Sequence, residues 1–357
     1  VQNKNPKDGK SVTILITTYK RANLLPFVFS ALERQTYKNF NVIVVVKPSG
    51  DGTEDTVRTY EKSLKTKLLM QSNGYVVDAI NLGLKQATGD IIAFLDDDAI
   101  PPPEWVQTHV ENYQKSNVGG VAGEVIPAFL SENGLVQLKD KSSEVIPQVK
   151  PFINSIGRKL WSCPLDGLED YLVYVSKAGV VDYNFELADK AYSQNTKSLL
   201  GMGANMSVLT EALDGFAFPT SWVLGLSYEQ FLGWHIWKRG YSLLFNPKAK
   251  VYHVAHGQTL TRNVTDKNKI TLRQVESQLL FYRLYGFEPK LSKMSRIIWL
   301  IYDTAMDLKK ICVNKEVSRI AWLKGKIQSE IIGAKWFLSR SLGGNYAPRR
   351  DLERIMS

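Results

Sequence analysis

The chain has 357 residues, 44% hydrophobic and 22% charged, with a formal net charge of +10. That balance allows a sizeable core and excludes a disordered or fibrous chain, and the length exceeds that of one ordinary domain. Two cysteines, Cys163 and Cys312, exclude a disulfide framework and fit no CxxC metal pattern, which favours a reducing compartment.

In chain order, the polar segment Val1–Lys10 lacks the apolar core of a signal peptide. Val12–Thr17 (VTILIT) is a β-branched run that predicts a strand buried on both faces. Residues 26–35 read as a helix with Leu25, Phe29 and Leu32 on one stripe, and Asn41–Val46 (NVIVVV) as a second buried strand. A helix over 55–64, a short strand over 67–70, a helix over 76–86 and a strand over Ile91–Leu95 (IIAFL) complete a βαβαβαβ rhythm. This rhythm predicts a Rossmann-like, mostly parallel sheet flanked by helices, with ligands at the carboxyl ends of the strands. Residues 119–125 read as another strand, about 127–200 as an irregular excursion shaping an acceptor site, and 201–209 as strand-like. Residues 228–239 read as a helix, 243–254 as a strand, and the chain from Leu272 onward as helical.

Three adjacent carboxylates, Asp96-Asp97-Asp98, follow the strand IIAFL and precede Pro101-Pro102-Pro103. Carboxylates packed so closely repel unless a cation neutralises them, and hard oxygen ligands suit Mg2+ or Mn2+ with phosphate oxygens. A solvated acidic turn is the competing reading. Thr17-Thr18-Tyr19-Lys20-Arg21, Lys47-Pro48-Ser49-Gly50-Asp51 and Asn73-Gly74 lie at the same predicted sheet edge, as a nucleotide site requires. No GxGxxG follows a strand, which argues against a dinucleotide-binding domain.

Over residues 10–257 this ordered set resembles the large inverting family 2 of glycosyltransferases with the GT-A fold. The resemblance rests on Thr18, Tyr19 and Arg21, on Gly74 with Ala79 and Asn81, and on Ala87, Gly89, Asp90, Phe94, Leu95, Asp96 and Asp98. It continues in Gly203-Ala204-Asn205 and in Lys238-Arg239-Gly240-Tyr241 at the end of the last catalytic helix. It implies a nucleotide-sugar half at about 10–125 and an acceptor half at about 126–257, within a catalytic unit of 1–257. The donor would be a nucleoside-diphosphate sugar and the acceptor a hydroxyl of a glycan or lipid-linked molecule. By resemblance, Thr17, Thr18, Tyr19, Arg21, Lys47, Asp51, Asn73, Gly74, Asn81, Asp96 and Asp97 serve the nucleotide. Asp98 and His253, with Asp96, serve Mn2+ or Mg2+, and His256 is a fallback ligand. Gly203, Ala204, Asn205 and Trp222 lie on the acceptor side, core packing being the other role open to the tryptophan.

Glu229 takes the general-base position, although Tyr228 stands where the family carries an acid and Glu229 where it carries Asp. A carboxylate favoured by the helix dipole is the plainer reading of Glu229. The family's acidic pair after the second strand is replaced by Val46-Lys47, and a lysine cannot accept from a uracil N–H. GDP or a thymidine nucleotide therefore gains on UDP, with Asp51 as a substitute acceptor. Nucleotidyl transfer and a non-catalytic binding or scaffold protein are the alternative functions.

Residues 1–257 carry 26 basic and 26 acidic residues, and residues 258–357 carry 19 and 9, so the whole surplus lies in the last hundred residues. There, cations interleave with apolar and aromatic positions, which predicts amphipathic helices on an anionic membrane. A helical bundle with solvated cations is the competing reading, and no nucleic-acid motif accompanies the charge. No run approaches the ~18–20 apolar residues of a membrane span. The expectation is a cytoplasmic enzyme, peripheral on the cytoplasmic face of a membrane.

Overall fold

A computed structural model describes residues 9–115, 117–132, 134–138, 162–255, 266–313 and 319–357, with side-chain surroundings left out for 307–319. The first half alternates β1 (Val12–Thr18), α1 (Leu25–Glu33), β2 (Phe40–Val46), α2 (Thr53–Thr59), β3 (Thr66–Met70), α3 (Val76–Leu84) and β4 (Ile91–Leu95). Strands β1, β2 and β4 are buried almost throughout, as their unbroken apolar runs require. Proline in the first turn favours the start of α1, and Glu54 and Asp55 meet the positive end of α2.

Then follow β5 (Ala99–Ile100), α4 (Trp105–Asn112), β6 (Val118–Ser131), β7 (Gly134–Gln137), β8 (Val173–Val175) and β9 (Val181–Tyr183). They lead to α5 (Ala188–Ala191), β10 (Thr196–Lys197), β11 (Asn205–Leu209), α6 (Thr210–Leu213), α7 (Tyr228–Lys238) and β12 (Ser242–Val254). The C-terminal region is helical: α8 (Lys267–Gln278), α9 (Leu280–Leu284), α10 (Lys293–Val313), α11 (Arg319–Ser341) and α12 (Arg349–Met356).

The main sheet runs β10-β12-β6-β11-β4-β1-β2-β3. Its β3-β2-β1-β4 part is parallel, as predicted. The other half is mixed: β11 lies antiparallel between β4 and β6, whereas β12 runs parallel to β6. The irregular reading of 127–200 is corrected in part, since β6 continues to Ser131, pairs with β7, and a β8–β9 hairpin follows. These strands are too short to show a period in the sequence.

Two pairings position the site. Strand β5 is only two residues long, yet it pairs with β12 so that Ala99 faces His253. Strand β11 pairs with β4 from Asn205↔Leu95 onward, so the Gly203-Ala204 turn opens beside Asp96. The C-terminal helices pack onto this frame. Leu280 and Leu284 join the main core, while Leu272, Val275, Leu279, Ile332 and Leu352 form a smaller one around Val223.

Candidate active site

The acidic triplet leaves β4 at its carboxyl end and turns at once into β5. The Asp98 carbonyl accepts from Val254 N–H at 2.9 Å, which locks the triplet against the end of β12. His253 Nε2 thereby lies 3.2 Å from Asp98 Oδ1. One ligand atom each from Asp96, Asp98 and His253 falls within 4.8 Å of the others. Burial, reinforced by the charge on Asp98, pushes the Asp96 carboxyl up to about 8, with His253 opposing and Asp97 and Glu229 adding to the rise. Two carboxylate oxygens and one imidazole nitrogen, crowded enough to resist ionisation, form a donor set that fits Mn2+ or Mg2+.

Asp97 turns to Arg21, whose Nε donates to its Oδ1 at 3.2 Å. Burial and Asp98 push its carboxyl up to about 6 against that guanidinium. The structure thus separates Asp97 from the Asp96–Asp98–His253 cluster and makes it the anchor of the loop after β1.

Along the same edge, Lys47 Nζ donates to the Gly74 carbonyl at 3.0 Å. The ammonium lies 5.9 Å from the Tyr19 ring centre and 5.6 Å from that of Tyr75. Two aromatic rings and a cation therefore share this stretch of the sheet edge. Tyr75 was missed in the sequence, where its only signal was an aromatic directly after Asn73-Gly74. Thr17 is half-buried, Thr18 buried and Asn73 exposed. Asp51 is exposed but already accepts from Thr53 N–H and Oγ1, Ser49 Oγ and Ala22 N–H. Burial raises its carboxyl, but these bonds together outweigh it and hold it well down, at about 2, so it staples the turn into α2.

Asn81 is corrected. Its amide donates to the Phe218 carbonyl and accepts from Phe218 N–H, both at 2.8 Å, so it ties α3 to the loop before α7.

Glu229 opens α7, and its Oε1 accepts from Gly203 N–H at 3.0 Å. Burial pushes the carboxyl up to about 7, opposed by its own and the Gly203 backbone N–H groups. The chain enters the helix through Ser227, held at φ 63°, a strained conformation of the kind that recurs at functional sites. Tyr228 is buried, and a Cβ at residue 203 would collide with its hydroxyl, so glycine is required there. Gly203 thus stands directly beside the Glu229 carboxylate.

Asn205 is a second correction. It is wholly buried and accepts from Trp105 Nε1 at 2.8 Å while donating to the Glu124 and Ala249 carbonyls at 2.8 and 2.7 Å. His109 Nε2 lies 2.9 Å from the same Oδ1 and so donates to it, while Nδ1 accepts from Ser207; burial pushes this imidazole down to about 4. Asn205 ties four elements together and has nothing left for an acceptor. Asn205→Leu is expected to destabilise the fold by about 3 kcal/mol, since several buried polar groups lose partners at once. A urea titration that moved by less than about 1 kcal/mol would contradict this role. Ala204 and Trp222 are also buried, and the Trp222 indole N–H donates to the Leu226 carbonyl at 2.8 Å. His256 lies outside the described residues.

Residues 13–161 match the family model of Glycosyl transferase family 2. The chain is 38% identical over 107 residues to a chondroitin synthase of Escherichia coli, covering 29% of this chain and 15% of that protein. It is 39% identical over 101 residues to a validoxylamine A glucosyltransferase of Streptomyces hygroscopicus subsp. jinggangensis, covering 27% and 24%. The chain thus spans at most about a quarter of these relatives' length. Among solved structures, a mannosyltransferase from Pyrobaculum calidifontis, in complex with GDP-Man and Mn2+, superposes with a TM-score of 0.51 at 18% identity. That match covers 98% of this chain and 85% of the other. GalNAc-T7 with UDP, GalNAc and Mn2+ gives 0.52 at 12% identity, covering 82% and 54%. The fold is therefore GT-A, and the resemblance to family 2 read from the sequence is met by the family model over residues 13–161.

Proposed function

We propose that this chain, whose residues 13–161 carry the family 2 match, is a metal-dependent inverting glycosyltransferase. The observation that carries this reading is the Asp96–Asp98–His253 cluster at the end of β4, with Glu229 Oε1 held at 3.0 Å by the N–H of Gly203 in the turn that leads into β11, the strand paired with β4. A divalent cation held by Asp98, His253 and Asp96 would neutralise the charge of a nucleoside diphosphate as it leaves. Glu229 takes the proton of the acceptor hydroxyl, whose oxygen bonds to the anomeric carbon on the face opposite the breaking bond to the diphosphate oxygen. The product is the inverted glycoside, with the nucleoside diphosphate released. Residues 10–125 form the donor half and 126–257 the acceptor half, and Arg21 keeps Asp97 clear of the cation.

The donor base is read from Lys47, Tyr19 and Tyr75. The Lys47 ammonium donates to a base acceptor, and guanine offers O6 and N7 side by side, which favours GDP; thymine and uracil share one hydrogen-bonding edge and are not distinguished by it. Thermal shifts with UDP, GDP, dTDP and CMP, with and without Mn2+, test the whole reading, because a ligand of the native state raises stability by mass action. GDP with Mn2+ is expected to give the largest shift. No shift with any nucleotide, and no transfer from any nucleotide sugar, would sink the glycosyltransferase reading.

The acceptor is a glycan or lipid-linked hydroxyl presented at an anionic membrane surface. Among the described residues, no helix is long and apolar enough to cross a membrane. Ion pairs Arg296–Glu330 and Lys326–Asp303 set α10 and α11 side by side and antiparallel. Met294, Ile297 and Ile301 on α10, and Ile320, Ile327 and Ile331 on α11, remain at least half exposed at helical spacing. Large exposed apolar stripes of this kind mark interaction surfaces. Co-sedimentation with phosphatidylglycerol vesicles is expected, and Ile327→Asp with Ile331→Asp should weaken it at least about tenfold, given ~1.5–3 kcal/mol per buried isoleucine. Dimerisation without vesicle binding would assign the stripe to a second copy instead.

A further inference from the structure

The segment 221–227 hands the chain into α7, so its path decides where the Glu229 carboxylate stands. It has no regular secondary structure, and both Gly225 and Ser227 sit at positive φ. Four of its backbone donors are nevertheless satisfied by one distant side chain, while Ser221 N–H bonds the Pro219 carbonyl. Four consecutive N–H groups converge on Glu276 of α8: Val223 and Leu224 on Oε1, Gly225 and Leu226 on Oε2. Arg283 of α9 holds the other side of the segment. Its Nη2 donates to the Ser221 carbonyl at 2.7 Å and its Nε to Ser221 Oγ at 3.1 Å. The guanidinium lies 3.9 Å from the Trp222 ring centre. Upstream, Asn81 grips Phe218.

Glu276 is 0% exposed and Arg283 2%. Buried charges are costly unless paired and fully hydrogen-bonded, and an apolar pair of similar volume is commonly as stable. This pair spends its bonds on one loop, and that loop leads directly to the candidate base. Buried backbone N–H groups need partners, and here a single carboxylate both supplies them and dictates the turn.

We propose that Glu276 and Arg283 are positioning residues: they fix the path of 221–227 and thereby the placement of the Glu229 carboxylate. The C-terminal helices then complete the frame of the active site as well as bearing the exposed stripe. This inference rests on the reading of Glu229 as the base.

The test uses the full chain with Glu276→Gln, and Arg283→Lys as a second variant should the first fail to fold. Hydrogen exchange is followed over 219–229, and kcat is expressed per site, with sites counted by Mn2+-dependent GDP and UDP binding. Exchange at 223–226 is expected to quicken at least about tenfold, with β1–β4 protected as in the parent. Per-site kcat should fall about 100-fold, the scale of a misplacement of about 1 Å, with donor KM within about threefold. Unchanged exchange overturns the proposal. So does quicker exchange with an unchanged per-site kcat, or a loss that reflects only fewer competent sites. Absence of transfer by the parent would sink the glycosyltransferase reading, and the exchange measurement alone would then decide the clamp.

Discussion

Glu229→Gln is expected to lower kcat for sugar transfer about a thousandfold while leaving donor affinity within about twofold. General-base catalysis contributes roughly 10²–10⁴ in rate, and the amide keeps the size of the side chain and its bond from Gly203. The pH profile gives a second signature. The base works only when ionised, and burial has pushed its carboxyl up to about 7. The rate should therefore fall about tenfold per unit as pH drops below 7, and level off above it. An ordinary exposed glutamate would keep its full rate down to roughly pH 5. A Gln variant within about tenfold of the parent, or a flat profile from pH 5 to 8, would remove Glu229 from the mechanism.

Asp98→Ala should be as severe by another route. It removes the buried carboxylate of the candidate metal cluster and leaves His253 without its neighbour at 3.2 Å. Charge stabilisation by a bound metal is worth several kcal/mol, so kcat/KM should drop at least about a thousandfold. The Mn2+-dependent part of the nucleotide thermal shift should vanish in the same variant. His253→Ala is expected to give a weaker loss of the same kind, because two carboxylates remain. If Asp98→Ala retained the Mn2+-dependent shift, the cation would have to be held elsewhere. Metal-binding and base defects separate cleanly, since Glu229→Gln should keep that shift.

The parallel half of the sheet was legible because its strands are buried on both faces, and continuous β-branched runs such as NVIVVV have few other homes. The acidic triplet was legible through its context: a solvated acidic turn explains it alone, but it follows such a run beside other polar turns of the same sheet edge. Gly203 was legible through its motif. Asn81 and Asn205 turn to internal partners and Trp222 takes the packing role left open for it, because a polar or aromatic residue in a motif says nothing about which way its side chain points. Asn205 is held by groups 44, 81, 96 and 100 residues away, and no local pattern encodes those partners. Lys47 was recognised as a departure, but its two aromatic neighbours come from the loop after β1 and from the loop before α3, which only the sheet brings together.

The basic tail shows the same limit for charge. Counting residues predicted a surplus available to an acidic partner, yet Arg283 and Arg296 are buried, and Arg296, Lys326 and Arg349 are committed to internal carboxylates. What the tail offers outward is an apolar stripe beside exposed cations such as Lys293, Lys324 and Lys335, on helices whose exposed faces emerge only once their packed faces are known.

By itself, then, the sequence determined the chemistry within reach: a nucleotide edge, an acidic triplet after β4, a carboxylate at the start of α7 and a histidine at the end of β12. Those depend on short-range pattern, in which strand and helix periods decide what is buried and what reaches a loop. Only the tertiary structure decided which of these groups meet. A two-residue strand brings His253 to Asp98, an antiparallel strand brings Gly203 to Glu229, and a glutamate from a C-terminal helix takes the four donors of the loop before the base. Such contacts are set by backbone donors and acceptors that must find partners once buried, a requirement that acts across the whole fold and leaves no periodic trace in the chain.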